Sequence, residues 1–427
     1  MICDELRIIG STQTNVVMAA ELVRVAQRAL KRRPPEPRKE GLGQLVYPFD
    51  RELAWAAVTY MRTPTRVVWD VYRTRARRLE PLYDELCADI AGDPRALWRD
   101  GDGISVEARH VEEFEAGERQ IVGTVKNAMI DAAARKGIRL KVDPQRPASR
   151  WLARFDGRGL PSTGSGAEGR RGSNDGRGLP PGGSGAEGRR GSIDGANELV
   201  ISLDLGGGSL SQRGWRSEAG PAPLREHLAA VLLMLARFDP RKDALVDPMC
   251  GAGTIAIEAV LAAKAPPRPW PPPHALGYEG AAKPAPLYPD AAPLVVGCDL
   301  DLDALAAARD NSRSAGVADA VTWQRGDVAQ LTPKMIEQIA SERGRLAPTT
   351  GLILSNPPYG ERLDDAEVEP IYDALAVTCR RFVGWRAGFL VGNPLLEAAF
   401  ARVLGRPRIK KPLANANLRA YFYLFDL

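Results

Sequence analysis

The sequence predicts an α/β architecture for its C-terminal half, a Rossmann-like and mostly parallel sheet, preceded by an α+β accessory region. Three observations carry that expectation. From about residue 221 onward, short apolar runs alternate with helical patterns, which is the rhythm of a parallel sheet with crossover helices. Two of those runs, 244–246 and 350–355, end in turns of unusual composition: Asp247-Pro248-Met249-Cys250-Gly251-Ala252-Gly253-Thr254 and Asn356-Pro357-Pro358-Tyr359. The chain then closes on two alternating runs around Asn415-Ala416-Asn417, an antiparallel hairpin at the sheet edge.

In the first half, residues 16–30 read as a helix stopped by the prolines of Lys31-Arg32-Arg33-Pro34-Pro35. Residues 66–72 and 104–108 read as strands, and 79–91 and 120–136 as helices. Residues 149–155 and 198–205 read as the two arms of a hairpin, because the second alternates polar with apolar positions. Between those arms lies a tandem duplication. The segment from Asp156-Gly157-Arg158-Gly159 returns almost unchanged from Asp175-Gly176-Arg177-Gly178, and 14 of the 42 glycines fall within 156–195. So little apolar surface cannot offset the entropy of ordering. The segment is expected to be a disordered insert that the fold tolerates losing, since loop-closure entropy grows slowly with length.

In the C-terminal half the expected elements are an apolar helix at 224–238, then strands at 244–247, 294–299, 320–323, 351–356 and 387–392. Helices are expected at 255–263 and 302–314, with a proline-dense surface loop at 265–274. Boundaries follow at 1–75, 76–210 and 211–427, two accessory units and one catalytic unit, as suits a chain of 427 residues.

Composition narrows the function. No run of about eighteen apolar residues exists, and Met1-Ile2-Cys3-Asp4-Glu5 lacks the basic flank of a secretory signal. The five cysteines contain no C-x-x-C pair, so no metal site and no disulfide framework is expected and a reducing cytoplasm fits. Net charge is +5, and residues 1–155 alone hold 27 Lys/Arg against 22 Asp/Glu. A basic accessory region beside a near-neutral catalytic one suits a polyanion gripped by its phosphates, although charge alone equally describes a solubilising surface.

The two strand-end turns carry the chemistry. Gly251 and Gly253 let the backbone turn tightly before a helix N-terminus, with Thr254 opening that helix. The spacing is not G-x-G-x-x-G, and the carboxylate of Asp247, followed by Pro248, suits a zwitterionic amino-acid tail and a sulfonium better than a pyrophosphate. A purely structural turn remains the plain alternative. Asp299, ending the next strand, can accept ribose hydroxyls or cap the following helix. Asp327 and Val328, after the third strand, are placed to receive an adenine. At the second turn, the Asn356 amide oxygen and the Pro357 carbonyl can accept both N–H bonds of an exocyclic amine. Such an amine is a poor nucleophile until its nitrogen becomes pyramidal. Pro357 and Pro358 stiffen the corner, and Tyr359 offers a ring for an extruded base. No P-loop, no G-x-S-x-G and no histidine beside the motifs supports another mechanism.

Taken in order, these motifs resemble the THUMP-domain class I RNA methyltransferases that form N2-methylguanosine in 23S ribosomal RNA or tRNA. The resemblance rests on Leu205-Gly206-Gly207-Gly208-Ser209-Leu210, Arg213-Gly214-Trp215-Arg216, the 247–254 turn with Ile257-Glu258-Ala259, Ala308-Arg309-Asp310-Asn311, and Asn356 through Arg362. It implies a seven-stranded, S-adenosyl-L-methionine-dependent methyltransferase domain at 211–427. A ferredoxin-like unit at 1–75 and a THUMP unit at 76–210 are implied upstream. Structured RNA is the implied partner, ribosomal RNA before tRNA, with Lys126, Arg213, Trp215 and Arg216 as RNA contacts. Some members of that family carry a second methyltransferase domain, for which the chain is expected to leave no room. The rivals are an N6-adenine methyltransferase, whose corner is the same, and a catalytically idle RNA-binding assembly factor.

Overall fold

The computed structural model describes residues 1–39, 43–155, 198–216, 224–263, 274–277, 285–358, 365–415 and 418–427. The duplicated Gly/Arg segment, nearly all of the proline-dense loop and Tyr359 lie outside the described residues.

The accessory half opens as a βαββαβ unit: β1 (Ile2–Ile9), α1 (Asn15–Ala29), β2 (Arg38–Lys39), β3 (Gln44–Pro48), α2 (Arg51–Tyr60) and β4 (Arg66–Thr74). It continues through α3 (Leu79–Gly92), β5 (Gly103–Arg109), α4 (Glu118–Arg135), β6 (Lys141–Val142), β7 (Ser149–Phe155) and β8 (Leu199–Asp204). All eight strands form one sheet in the order β2-β3-β1-β4-β8-β7-β5-β6. The first unit alone has the order β2-β3-β1-β4, the split βαβ arrangement. β8 is the joint: it pairs antiparallel with β4 on one side and β7 on the other, so no sheet edge separates residues 1–75 from the next unit. Phe155 faces Leu199 across the β7–β8 ladder, so 149–155 and 199–204 are paired antiparallel arms, as the alternation implied.

A buried charge cluster staples the middle of this sheet. Asp70 on β4 meets Arg7 of β1 at 2.7 Å and Arg154 of β7 at 3.0 Å, and Ser202 of β8 donates to it at 2.6 Å. Burial pushes the Asp70 carboxyl up, but the two guanidinium groups outweigh it and hold it at about 2. A buried carboxylate this well matched joins four strands; unmatched, it would be costly.

The catalytic half comprises α5 (Glu226–Leu235), β9 (Ala244–Asp247), α6 (Thr254–Ala263), β10 (Val295–Asp299), α7 (Leu302–Ser314), β11 (Val321–Arg325) and α8 (Pro333–Glu342), then β12 (Gly351–Ser355), α9 (Asp365–Cys379), β13 (Arg386–Val391), α10 (Leu395–Val403), β14 (Ile409–Asn415) and β15 (Leu418–Asp426). Its sheet runs β11-β10-β9-β12-β13-β15-β14. β9 through β13 are parallel and β15 is antiparallel to both of its neighbours. β9, β12 and β13 are almost wholly buried, as strands covered by helices on both faces must be.

From β9 the chain walks outward to β11, then returns to the other side of β9 as β12. The order therefore reverses between β9 and β12, and such a switch point opens a crevice at the carboxyl ends of the strands. Both motif turns sit at that crevice. Each half has its own apolar core, yet Val17 of α1 packs into the catalytic core and Leu276 into the accessory one.

Candidate active site

A cavity of about 780 Å³ opens at the switch point, a volume ordinary for a cofactor site. Asp247, Pro248, Gly251 and Thr254 line it from the first turn, Asp299 from the end of β10, and Asp327 and Val328 from beyond β11. Asn356 and Pro358 close it from the end of β12. Seven of the eight residues expected around a cofactor therefore converge on one space.

Gly253 is the exception. Its φ of +82° explains the glycine, but a Cβ there would meet the Trp323 ring at 2.5 Å, so it faces a packed indole and does not line the cavity. Gly251, at φ +51° and with open space beside its missing Cβ, is the one that lets the backbone approach a ligand.

Hydrogen bonds lock the two turns together. Ser355 Oγ donates to Asp247 Oδ1 at 2.7 Å, joining the end of β12 to the end of β9. Asp299 Oδ2 accepts from the Gly251 amide at 2.8 Å and its Oδ1 from the Asp301 amide at 3.0 Å, so the carboxylate shapes the glycine turn. Each of its oxygens keeps a lone pair for a ligand hydroxyl. Asp327 accepts from the Ala329 amide at 2.9 Å, capping a helical turn. Tyr372 OH donates to Pro358 O at 2.7 Å and braces the proline corner from α9. Pro357 is buried.

The electrostatics are one-signed. Asp247, Asp299, Asp301, Asp303 and Asp327 all line the cavity, and no lysine, arginine or histidine does so among the described residues. Burial pushes the Asp247 carboxyl up to about 7. Such a space favours a cation or zwitterion and repels a pyrophosphate. Burial likewise raises the Cys298 thiol to about 12 and the Cys250 thiol well above its ordinary value, so neither supplies a thiolate nucleophile at neutral pH. Beside the aspartates, Leu300, Ala304, Ala307, Ile371 and Ala374 form an apolar side suited to a flat ring.

Asn356 Oδ1 is shielded from solvent and accepts no hydrogen bond among the described residues. Leaving a buried acceptor unmatched costs about 1–3 kcal/mol, so its persistence beside a cavity needs a reason. A ligand N–H supplies one.

The residues expected to touch RNA fall elsewhere. Arg213 is spent inside the chain: Nε meets Glu258 of α6 at 3.1 Å, Nη2 donates to Arg62 O at 2.5 Å and Nη1 to Leu210 O. Trp215 is 4% exposed and belongs to the catalytic core. Arg216 Nη2 donates to Leu224 O at 2.7 Å and to Thr254 Oγ1 at 3.0 Å. Arg213 thus joins the two halves while Trp215 and Arg216 are taken up inside the second, which corrects the reading of the run as an RNA-facing strip. Lys126 stands half-buried on α4. Ser355, Tyr372 and Leu224 were not anticipated; the one available signal was the position of Ser355 directly before the Asn-Pro-Pro corner.

A seven-stranded sheet of this order, with the antiparallel β15 and an amide corner at the switch point, is the class I methyltransferase fold. Residues 213–410 match the RMKL-like methyltransferase domain family. The ribosomal RNA large subunit methyltransferase K/L of Chromohalobacter salexigens is 40% identical over 220 residues, covering 46% of this chain and 28% of that one. The enzyme of the same name from Pseudomonas entomophila is 29% identical over 381 residues, covering 81% and 43%. The chain thus spans less than half the length of the curated relatives it matches. Over whole chains, the fold is shared with SMU.472, solved in complex with SAH (TM-score 0.69, 22% identity, 100% of this chain and 98% of that one). TrmN from Thermus thermophilus is similar too (TM-score 0.63, 18% identity, 99% of each chain).

Proposed function

We propose that the protein is an S-adenosyl-L-methionine-dependent RNA methyltransferase that modifies the exocyclic N2 amine of a guanosine, in 23S ribosomal RNA. The observation that carries this reading is the unmatched Asn356 Oδ1 at a cavity lined by five carboxylates and no basic side chain. The names of the sequence relatives, ribosomal RNA large subunit methyltransferases, favour the ribosomal substrate over tRNA. The same relatives support a cytoplasmic setting for the proposed reaction, with the RNA.

The residues fit the cofactor. Asp247 and the Gly251 turn suit a cationic amino-acid tail, Asp299 the ribose hydroxyls, and Asp327 with the apolar side the adenine. When bound, the cofactor supplies an electrophilic methyl group on a sulfonium. Everything else is done by the chain. Asn356 Oδ1 accepts one N–H of the guanine amine and the Pro357 carbonyl the other. Both bonds would favour a pyramidal nitrogen with its lone pair freed from the ring. The two acceptors would hold the amine while it takes up the methyl group that the bound cofactor would supply, and the nitrogen would then shed its extra proton to solvent. The Ser355–Asp247 bond fixes the distance between the two turns, so the acceptors need no reorganisation.

The test uses the purified chain, methyl-labelled cofactor and ribosomal RNA from cells lacking the modification. Nucleoside digestion should release labelled N2-methylguanosine. Label in N6-methyladenosine would transfer the same corner to adenine, and absence of label in any RNA would leave only an assembly factor.

A further inference from the structure

Two lining residues of the cavity, Leu224 and Thr254, are tied together by a single guanidinium. Arg216 Nη2 reaches the Leu224 carbonyl at 2.7 Å and the Thr254 hydroxyl at 3.0 Å, and Nε faces Glu226 Oε1 at 3.4 Å. Its side chain is 14% exposed, and its guanidinium lies 5.5 Å from the buried Trp215 ring. Thr254 is the first residue of α6, directly after the glycine turn, and Leu224 lies just ahead of α5. Arg216 therefore joins the lead-in of one helix to the start of another, and both joined residues face the cavity. Glu226 balances the buried charge from the first turn of α5.

We propose that Arg216 is a positioning residue for the cofactor, setting the separation of Leu224 from the glycine turn and so the fit of the cavity. The inference rests on the reading that this cavity takes S-adenosylmethionine. It needs nothing from Arg216 at the reacting atoms. Arginine suits the task because its planar group aims Nη2 at a carbonyl and a hydroxyl with the Glu226 carboxylate alongside, directions that a lysine ammonium on its flexible stem cannot hold fixed.

A matched comparison lies in the same domain. Arg386, at the start of β13, donates to Ala236 O at 2.6 Å and pairs with Asp243 at 2.6 Å. It has the same kinds of partner, but at the amino ends of the parallel strands, the edge opposite the cavity. Losing Arg386 should lower stability without touching the cofactor.

The experiment is calorimetric titration of S-adenosylhomocysteine into the full chain, with thermal unfolding of the same samples. Arg216→Ala should raise the Kd about tenfold, the order expected for losing charged hydrogen bonds that shape the site. Arg216→Lys should fall between that variant and the wild type. Arg386→Ala should lower Tm while keeping Kd within about twofold of wild type. A folded Arg216→Ala with wild-type Kd overturns the inference; should that variant not fold, a wild-type Kd in Arg216→Lys does the same. If the Kd of Arg386→Ala rises as far as that of Arg216→Ala, the effect is general loosening and the inference also fails. A wild-type chain that does not bind S-adenosylhomocysteine removes the functional reading itself, and this inference with it.

Discussion

Asn356 and Asp247 hold the two ends of the site in different chemical states. Asn356 keeps an acceptor without a partner among the described residues, and its value emerges only when an amine arrives. Asn356→Ala should therefore leave the Kd for S-adenosylhomocysteine unchanged and cut single-turnover methylation about a hundredfold or more, the cost of one transition-state hydrogen-bond partner. A variant with near wild-type turnover would take Asn356 out of the reaction. Asp247 differs because its carboxyl is raised: buried in the folded chain it titrates at about 7, chiefly through desolvation, while Ser355 and the Met249 amide oppose the shift. Unfolded, an aspartate titrates near 3.9. Between those values the unfolded state gives up its proton first. The stabilisation is thus complete below about pH 4 and is lost as pH rises through about 7, at up to about 1.4 kcal/mol per unit. Ligand-free denaturation midpoints should fall across that window, and Asp247→Asn should flatten the slope. An identical slope in the variant would show that the group titrates elsewhere.

At the level of elements, the glycine turn between β9 and α6 shows how one motif serves two purposes. Gly251 has open space beside it and faces the cavity, whereas Gly253 lies against Trp323 and Ala308. Gly253→Ala must both hold a positive φ and displace an indole, and should cost about 2 kcal/mol or more with a change in tryptophan fluorescence. Gly251→Ala pays only the backbone term and should weaken cofactor binding more than it lowers Tm. Equal losses of stability in the two variants would contradict this division. The sequence made the turn legible but not the division, because glycine has no side chain whose type reveals what it faces. Elsewhere the same rule holds. β9, β10, β12 and β13 were readable as apolar runs within a residue or two, since both faces are buried. β1 was not: its alternation is confined to Glu5-Leu6-Arg7-Ile8, with Leu6 and Ile8 in the apolar core and Arg7 on the other face, fully buried by its pairing with Asp70. Arg213 and Arg216 were read as surface cations for the same reason. A buried ion pair cannot be told from a solvated charge until its partner, distant in sequence, is known.

Over the whole molecule, Arg213 and Arg62 decide how the two halves meet. Glu258, fully buried on α6, lies 3.1 Å from Arg213 Nε and 3.5 Å from Arg62 Nη1, while Arg213 also holds the carbonyls of Arg62 and Leu210. Across the same seam Ser11 Oγ meets His227 Nε2 at 2.8 Å, and burial depresses that imidazole to about 3, so the contact stays neutral at physiological pH. The accessory region is thereby fixed on α6, the helix that begins at the glycine turn, so the two halves meet in a single geometry. Glu258 is the only carboxylate among the described residues found in contact with both guanidinium groups, and burial already disfavours the charged form of Arg62, with Arg213 adding to the strain. Glu258→Gln keeps the shape of the side chain but leaves two buried cations facing each other. That should cost about 3–5 kcal/mol, as for a buried pair stripped of one partner. Urea denaturation followed by tryptophan fluorescence and by far-ultraviolet dichroism separates the possibilities. The wild type should unfold with coincident curves, whereas Glu258→Gln should shift to lower urea and split, the halves no longer held as one unit. A variant with the wild-type midpoint and coincident curves would mean that apolar contacts such as Val17, not the ion cluster, join the two halves.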